Sequence, residues 1–398
     1  KDAVFYVCTN SRAYPEAQMR EITFEFAANL KTAADKHGAR VLLASRSDST
    51  LRGHYPAEVD ALLAGCGAGA DGVIIAPALF EAGRYTIDDV HWVEEASGEM
   101  VMAGDTEFAK DPNFGYTKSN LKEWVEEKTA GRWKARDVLS LSLETLRGGS
   151  GGAREILMKA GGGVPIILNA AAYEDIETAV LAVAEAEKAG KSFVYRCAAC
   201  FVKVRGGFLD RPLLTAQELG LAAGPGLVVV GSYVGKTSRQ LNSLLADGGC
   251  EALELDVNRL VGSEAALRAE SDRVAGLADT AMRAGRTAVV YTSRAVRKAE
   301  GGDFLDFGSR VMMALCATVK TIGVRPSFVV AKGGITSIET ARTGLGVREA
   351  RVAGQIAKSV PLWELGEETK WPGLPYVVFP GNVGDDTTLK EVVEKLQT

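Results

Sequence analysis

The sequence predicts an α/β protein of two α/β domains with largely parallel sheets and a substrate cleft between them. Three observations carry that expectation. At 398 residues the chain is too long for one small module, given about 150 residues per domain. Short aliphatic runs recur without polar alternation, the pattern of strands covered on both faces. Between several of them, apolar residues return at helical spacing and stop at glycine.

Taken in order, Ala3-Val4-Phe5-Tyr6-Val7 reads as an opening strand. Met19, Ile22, Phe26, Leu30 and Ala33 share one helix face, stopped by Gly38. Val41-Leu42-Leu43 is the next strand, and a helix follows with Val59, Leu62, Leu63 and Cys66 on its apolar face. Val73-Ile74-Ile75 and Ile166-Ile167-Leu168 are further strands, and the glycine-rich stretch Gly148 to Gly163 reads as loops around a helical turn. The segment from Arg205 to Gly226 holds Gly206-Gly207, Arg211-Pro212 and Gly224-Pro225-Gly226, so the domain junction belongs there. The expected boundaries are 1–205, a junction at 206–226, and 227–398. In the last segment the strands are Leu227–Val230, Val289–Tyr291, Phe328–Val330 and Tyr376–Phe379. Its helices are marked by Leu241, Leu244 and Leu245, and by Val311, Leu315 and Val319.

Composition narrows the function. Hydrophobic residues make up 46% and charged residues 24%, enough to build sizeable cores, and the net charge is −5. With no basic stripe, nucleic acid is excluded as the main partner. The longest apolar runs span only a few residues, far short of a membrane crossing, and no signal-peptide pattern opens the chain. Six sparse cysteines suit a reduced, cytoplasmic setting. Cys197 and Cys200 have CxxC spacing without a second pair or a nearby histidine, so they read as small core residues at a strand end rather than a zinc or redox site.

Ligands of α/β sheets bind beyond the carboxyl ends of strands, and the two halves differ there. In the first, Ser45-Arg46-Ser47-Asp48-Ser49-Thr50-Leu51-Arg52-Gly53-His54 combines hydroxyls, a carboxylate and guanidiniums at a strand-to-helix turn. Thr9-Asn10-Ser11-Arg12 and Gly83-Arg84-Tyr85-Thr86 lie near two other strands. Arginine grips a carboxylate with two parallel bonds and hydroxyls suit a polyol, so three such clusters favour a polyol-carboxylate pocket over solvated caps. The second half is punctuated by glycine: Gly231-Ser232-Tyr233-Val234-Gly235-Lys236-Thr237, Lys332-Gly333-Gly334-Ile335-Thr336-Ser337, and Pro380-Gly381-Asn382-Val383-Gly384. The first is not a Walker A loop, because only three residues separate its glycines. Loops of this kind let backbone approach phosphate, which suits a nucleotide. Of the histidines, His37 closes a helix, His91 falls in a loop-like stretch and only His54 enters a candidate site, so no metal set emerges.

At these residues the chain resembles the four-carbon acid sugar kinases. The blocks that carry the resemblance are Asp48 to Gly53, Ala76-Pro77 to Gly83-Arg84, Thr106 to Pro112, Gly231-Ser232, Gly333 to Ser337 and Phe379 to Gly384. The resemblance implies an acid-sugar-binding domain at 1–205 and a nucleotide-binding domain at 227–398. It implies transfer of the γ-phosphoryl group of ATP, with Mg²⁺, to the terminal hydroxyl of a threonate, erythronate or 3-oxo-tetronate. The expected substrate residues are Ser11, Arg12, Ser49, Thr50, Arg52, Gly53, His54 and Arg84, with Arg52 as the main carboxylate clamp and Asp48 as the catalytic carboxylate. Gly231, Ser232, Gly333, Gly334, Thr336, Ser337, Gly381, Asn382 and Gly384 are expected to hold the nucleotide. Expected partners are the acid sugar and ATP, with a homodimer as the candidate assembly. Two departures stand out: no Asp-Asp-x-Thr-Gly opening is found, and Ile335 stands where relatives often carry Asp. The first leads to the expectation that the chain begins after the family's first strand and helix. It also supports the alternative of a non-catalytic nucleotide- or acid-sugar-binding relative.

Overall fold

Strands without a polar face must be covered on both sides, and each half of the chain meets that demand with its own sheet. The computed structural model describes all residues except 1–3, 68, 96, 222, 232–234, 261–262, 294–303, 382 and 398. It divides into two units, Lys1–Leu209 and Asp210–Thr398.

The first unit runs α1 (Glu16–His37), β1 (Ala44–Arg46), α2 (Ala57–Gly65), β2 (Gly72–Ala76), β3 (Arg84–Ile87), β4 (Val90–Glu94), β5 (Met100–Met102), α3 (Leu121–Lys128), β6 (Leu139–Leu141), α4 (Leu143–Arg147), α5 (Ser150–Met158), β7 (Val164–Leu168), α6 (Tyr173–Lys188), β8 (Phe193–Cys197) and α7 (Ala199–Arg205). Its main sheet is parallel throughout, in the order β1-β8-β2-β7-β6. A small antiparallel sheet, β3-β4-β5, stands apart from it. Residues of β2, β7 and β8 are buried along their whole length. Alternate side chains feed two cores: Ile74, Ile166 and Tyr195 into one, Ile75, Ile167 and Val194 into the other.

The second unit runs β9 (Leu227–Val230), α8 (Gly235–Leu245), β10 (Cys250–Leu255), α9 (Glu264–Arg283), β11 (Thr287–Thr292), α10 (Phe304–Thr321), β12 (Val329–Lys332), α11 (Gly334–Glu339), β13 (Ala350–Ala357), β14 (Val360–Leu365), β15 (Pro375–Phe379) and α12 (Thr388–Gln397). Its sheet order is β10-β11-β9-β12-β15-β14-β13. The first five strands in that order are parallel and the last two antiparallel. The stretch after residue 209 packs on this unit. Leu214 is buried in its core, its N–H donates to the Gln355 carbonyl at 2.7 Å, and Arg211 donates to the Ala353 carbonyl at 2.9 Å. Among the described residues no helix is long and apolar enough to cross a membrane.

Three local expectations need correction. Residues 4–7 form no strand, and Phe5 and Tyr6 stand largely exposed. β propensity alone does not make a strand without a ladder partner. The run Val41-Leu42-Leu43 lies just ahead of β1 rather than in it; only the Leu43 carbonyl takes a ladder bond, from Tyr195 N–H. His91, placed by sequence in a loop, is a fully buried residue of β4. The alternating burial of β4 belongs to an antiparallel sheet, which a search for unbroken apolar runs passes over.

Gly226 enters β9 with its N–H on the Thr287 hydroxyl at 2.9 Å, and a methyl group there would overlap the Phe328 ring. Gly226→Ala should therefore destabilise the protein by about 1–3 kcal/mol through overpacking. Urea denaturation should show a lower midpoint at an unchanged slope.

Candidate functional site

The turn that leaves β1 bends twice into left-handed backbone, at Leu51 (φ 68°) and Gly53 (φ 122°). Glycine takes such a conformation without strain, but leucine does not. Leu51 is held there by burial and by bonds to its neighbours' carbonyls. The Ser49 carbonyl accepts from His91 Nε2 at 2.7 Å, the Thr50 carbonyl from the Tyr116 hydroxyl at 2.8 Å, and the Leu51 carbonyl from Arg196 Nη2 at 3.2 Å. With the carbonyls turned inward, the side chains of Asp48, Thr50 and Arg52 gather together.

Asp48 is the hub of that group. Arg52 Nε donates to its Oδ2 at 2.8 Å and to Thr50 Oγ1 at 3.1 Å, and the Thr50 hydroxyl bonds the same carboxylate. Arg12 Nη1 lies 3.8 Å from Asp48 Oδ1, and Arg52 Nη1 lies 3.7 Å from Asp111 Oδ2. The Arg52 and Arg84 guanidinium carbons lie 5.1 Å and 5.7 Å from the centre of one ring, Phe108. The Arg84 guanidinium makes no hydrogen bond or ion pair within 4 Å among the described residues, and its Nε is buried. His54 Nε2 lies 3.1 Å from the Tyr14 carbonyl, and its ring meets Phe114 edge-on. The structure thus brings Asp48, Thr50, Arg52, Arg12 and Arg84 together. Ser11 sits in a short turn, Ser11–Ala13, next to Arg12. Ser49 contributes its carbonyl, and Gly53 the bend.

These neighbours set the charges. Burial pushes the Asp48 carboxyl up, but bonds from Arg52 and Thr50 with the charges of Arg52 and Arg12 outweigh it and hold its pKa below the ordinary value. Burial pulls Arg84 down, opposed by the charges of Asp48 and Glu94. His91 is pulled down to about 4 by burial, against its bond to Ser49. It is neutral: Nε2–H donates to Ser49, and Nδ1 accepts from the Thr86 hydroxyl at 3.0 Å.

In the second unit the glycine loops follow β9, β12 and β15. Ser232 and Asn382 lie outside the described residues. Gly231 is explained by packing, because a Cβ there would overlap the Thr336 hydroxyl and crowd Leu315. Gly333 (φ 124°) and Gly384 (φ 80°) require glycine backbone, and a Cβ on Gly334 would meet nothing within 4 Å. Thr336 and Ser337 are buried, and the Ser337 hydroxyl is engaged with the Ala331 and Gly333 carbonyls, 2.6 and 2.7 Å away. Ile335 is 73% exposed. Lys332, at the end of β12, is fully buried; its Nζ donates to the Pro380 carbonyl at 2.7 Å and lies 3.2 Å from that of Gly381. Burial and the nearby Lys236 charge bring Lys332 down to about 8. Lys236 donates to the Gly384 carbonyl at 3.0 Å, and Thr237 to that of Gly381 at 3.3 Å. These bonds tie the start of α8 to the loop after β15.

Residues missed by sequence reasoning share a signal. Arg196 and Lys332 are charged residues inside otherwise apolar strands, which must be satisfied locally once buried. Phe108 and Asp111 lie within the Thr106–Pro112 block but offered no recognisable role alone. Cys197 and Cys200 are buried, with thiols pushed up to about 12 and about 11 by burial. Among the described residues no group of three or more His, Cys, Asp or Glu could hold a metal ion.

Known proteins fit this division. Residues 1–205 match a sugar-binding N-terminal domain family and residues 227–389 a nucleotide-binding C-terminal domain family. A D-threonate kinase of Salmonella typhimurium is 26% identical over an alignment covering 97% of this chain and 87% of that protein. A crystal structure from Salmonella typhimurium LT2, described as a tRNA synthase, has a TM-score of 0.71 at 15% identity, covering 95% of this chain and 85% of its own, a likeness of fold. A domain of unknown function from Bordetella bronchiseptica, crystallised with citrate as a domain-swapped dimer, is 22% identical over 98% of this chain and 86% of its own, with a TM-score of 0.38.

His91 gives the site a pH signature. Its folded pKa, about 4, lies below the unfolded value of about 6.5, so its contribution is fully present above pH 6.5 or so and is lost as pH falls towards 4. Urea denaturation across that window should show stability falling by up to about 3 kcal/mol from this group. His91→Gln, which keeps a donor for Ser49 but cannot titrate, should flatten that part of the curve.

Proposed function

The chain belongs to the four-carbon acid sugar kinase family, with a sugar-binding N-terminal and a nucleotide-binding C-terminal domain, and from that premise we propose that it phosphorylates the terminal hydroxyl of a four-carbon acid sugar with ATP. The observation that carries the substrate class is Arg84. A half-buried guanidinium without a hydrogen bond or ion pair among the described residues, beside the Asp48–Thr50–Arg52 group, is the donor left over for a carboxylate. Arg52 is already engaged with Asp48, Thr50 and Asp111, so we assign the clamp to Arg84, with Arg12 beside it. Asp48, held anionic by its neighbours, accepts a hydrogen bond from the attacking hydroxyl and orients it. Phosphoryl transfer asks more for alignment and charge stabilisation than for a strong base.

The donors of the second unit suit ATP. Lys332 and Lys236 place two ammonium groups near one another, a repulsion that a polyphosphate relieves, and the open space over Gly334 lets backbone approach phosphate. Bound ATP supplies the phosphoryl group. Among the described residues no metal cage is offered: Asp385 accepts from Thr387 and Thr388, and Asp386 pairs with Arg239. Mg²⁺ would be carried by the phosphates of the nucleotide and would neutralise their charge. The competing reading, a relative that binds without turnover, draws on the same Asp48, whose depressed pKa makes it a weak base.

An ATP-consumption screen against D- and L-threonate, D- and L-erythronate and 3-oxo-tetronates should show turnover with at least one, and phosphorus NMR should place the phosphate on the terminal hydroxyl. Saturable binding of an acid without turnover would favour the non-catalytic relative, and no binding at all would sink both. Arg84→Lys should raise KM for the acid about ten- to hundredfold, because an ammonium cannot reproduce the two-bond grip, and leave KM for ATP unchanged. Lys332→Met should do the reverse, raising KM for ATP and sparing that for the acid.

A further inference from the structure

Arg196 lies in the middle of the first unit's sheet, paired in register with Ser45 of β1 on one side and Ile75 of β2 on the other. Its side chain is 1% exposed, on the face that carries Val194 into the core with Leu51, Tyr55 and Trp124. The guanidinium carbon lies 4.8 Å from the Trp124 ring centre and 5.6 Å from that of Tyr55. Among the described residues no carboxylate reaches it within 4 Å. Its Nη2 donates to the Leu51 carbonyl at 3.2 Å and lies 3.5 Å from that of Arg52, while Nη1 has no hydrogen-bond partner; the residue lines a narrow slot with Ser45, Ser47, Gly53 and Glu58.

A buried cation with no carboxylate in contact, only the more distant charges of Glu58 and Asp48, costs several kcal/mol before its hydrogen bonds are counted, so core stability alone would be better served by an apolar residue. What this arginine supplies instead is one guanidinium nitrogen, Nη2, set between two successive carbonyls on a planar group held over the Trp124 and Tyr55 rings, at the point where Leu51 is forced to φ 68°. We infer that Arg196 is a positioning residue: it holds the left-handed bend at Leu51 from beneath, so that Asp48, Thr50 and Arg52 project together into the acid-sugar site. His91 and Tyr116 hold the two preceding carbonyls in the same way. Four consecutive carbonyls are thereby turned to one side and the reactive side chains to the other. The role in catalysis rests on the kinase reading; the role in holding the turn does not.

Hydrogen exchange of the full-length protein separates the two. In Arg196→Lys, which keeps the charge but loses the planar group that places Nη2 between the two carbonyls, amides of residues 48–54 should exchange about tenfold faster, while those of β7 and β9 keep their rates. With a tetronate that the wild type turns over, kcat/KM for the acid should fall at least about tenfold and KM for ATP should stay fixed. Millimolar guanidinium should restore part of the activity of Arg196→Ala. Should that variant not fold, Tyr116→Phe removes one hydroxyl from the Thr50 carbonyl and should loosen the same amides to a smaller degree. Unchanged exchange at 48–54 in Arg196→Lys, or a rise shared evenly by all strands, overturns the assignment. If the wild type turns over no tetronate, the kinase reading falls, and the exchange pattern still decides the role of Arg196.

Discussion

The carbonyls of residues 49–52 must find donors away from water, and much of the first unit is arranged to supply them. Each donor comes from a different part of the chain: His91 from β4, Tyr116 from the segment before α3, Arg196 from β8. The small antiparallel sheet thus has a task beyond covering the core, since β4 carries His91 beneath the turn. The neutral state of His91 follows from the same demand. Buried between a hydroxyl and a carbonyl, the neutral ring is satisfied at both nitrogens, and burial disfavours the charge a second proton would bring.

The parallel strands β2, β7, β9, β11, β12 and β15 were legible because they are written as apolar runs, whereas β6, β8 and β10, broken by Ser140, Arg196, Glu251 and Glu254, were passed over. Helix ends were legible where glycine takes a left-handed conformation, as at Gly38 (φ 60°). What was not legible depends on pairing. The run at Val41–Leu43 and the strand at Ala44–Arg46 differ by three residues because ladder bonds to β8 set the limits of the strand. The β13–β14 hairpin also escaped, since its faces alternate and its partner lies close in sequence.

At the site, the cluster Asp48-Thr50-Arg52 with Arg12 and Arg84 was readable from residue types alone. The division of labour within it was not. Arg52 and Arg84 look equivalent in the sequence, and only hydrogen-bond accounting shows one engaged with Asp48 and Asp111 and the other left with a buried Nε to satisfy. Arg196 was readable in principle, as a charge inside an apolar strand, but a search that looks only beyond strand ends overlooks the strands themselves; Lys332, read as the first residue of a glycine loop, belongs to β12 because it pairs with Phe379.

Under the proposed function, the two units solve different recognition problems with different materials. A carboxylate flanked by hydroxyls has direction, and the first unit answers with forked guanidiniums and hydroxyls held in fixed orientations. A polyphosphate chain carries its charge all along its length, and the second unit answers with backbone and amines. Its glycines do not all serve that end. Gly231 is small because Thr336 and Leu315 leave no room, and Gly333 because its φ of 124° excludes a side chain. Gly334 has neither excuse: its φ is ordinary and nothing lies within 4 Å of where its Cβ would be. In the proposed function that open space, beside the buried Lys332 at the end of β12, is where backbone meets a phosphate.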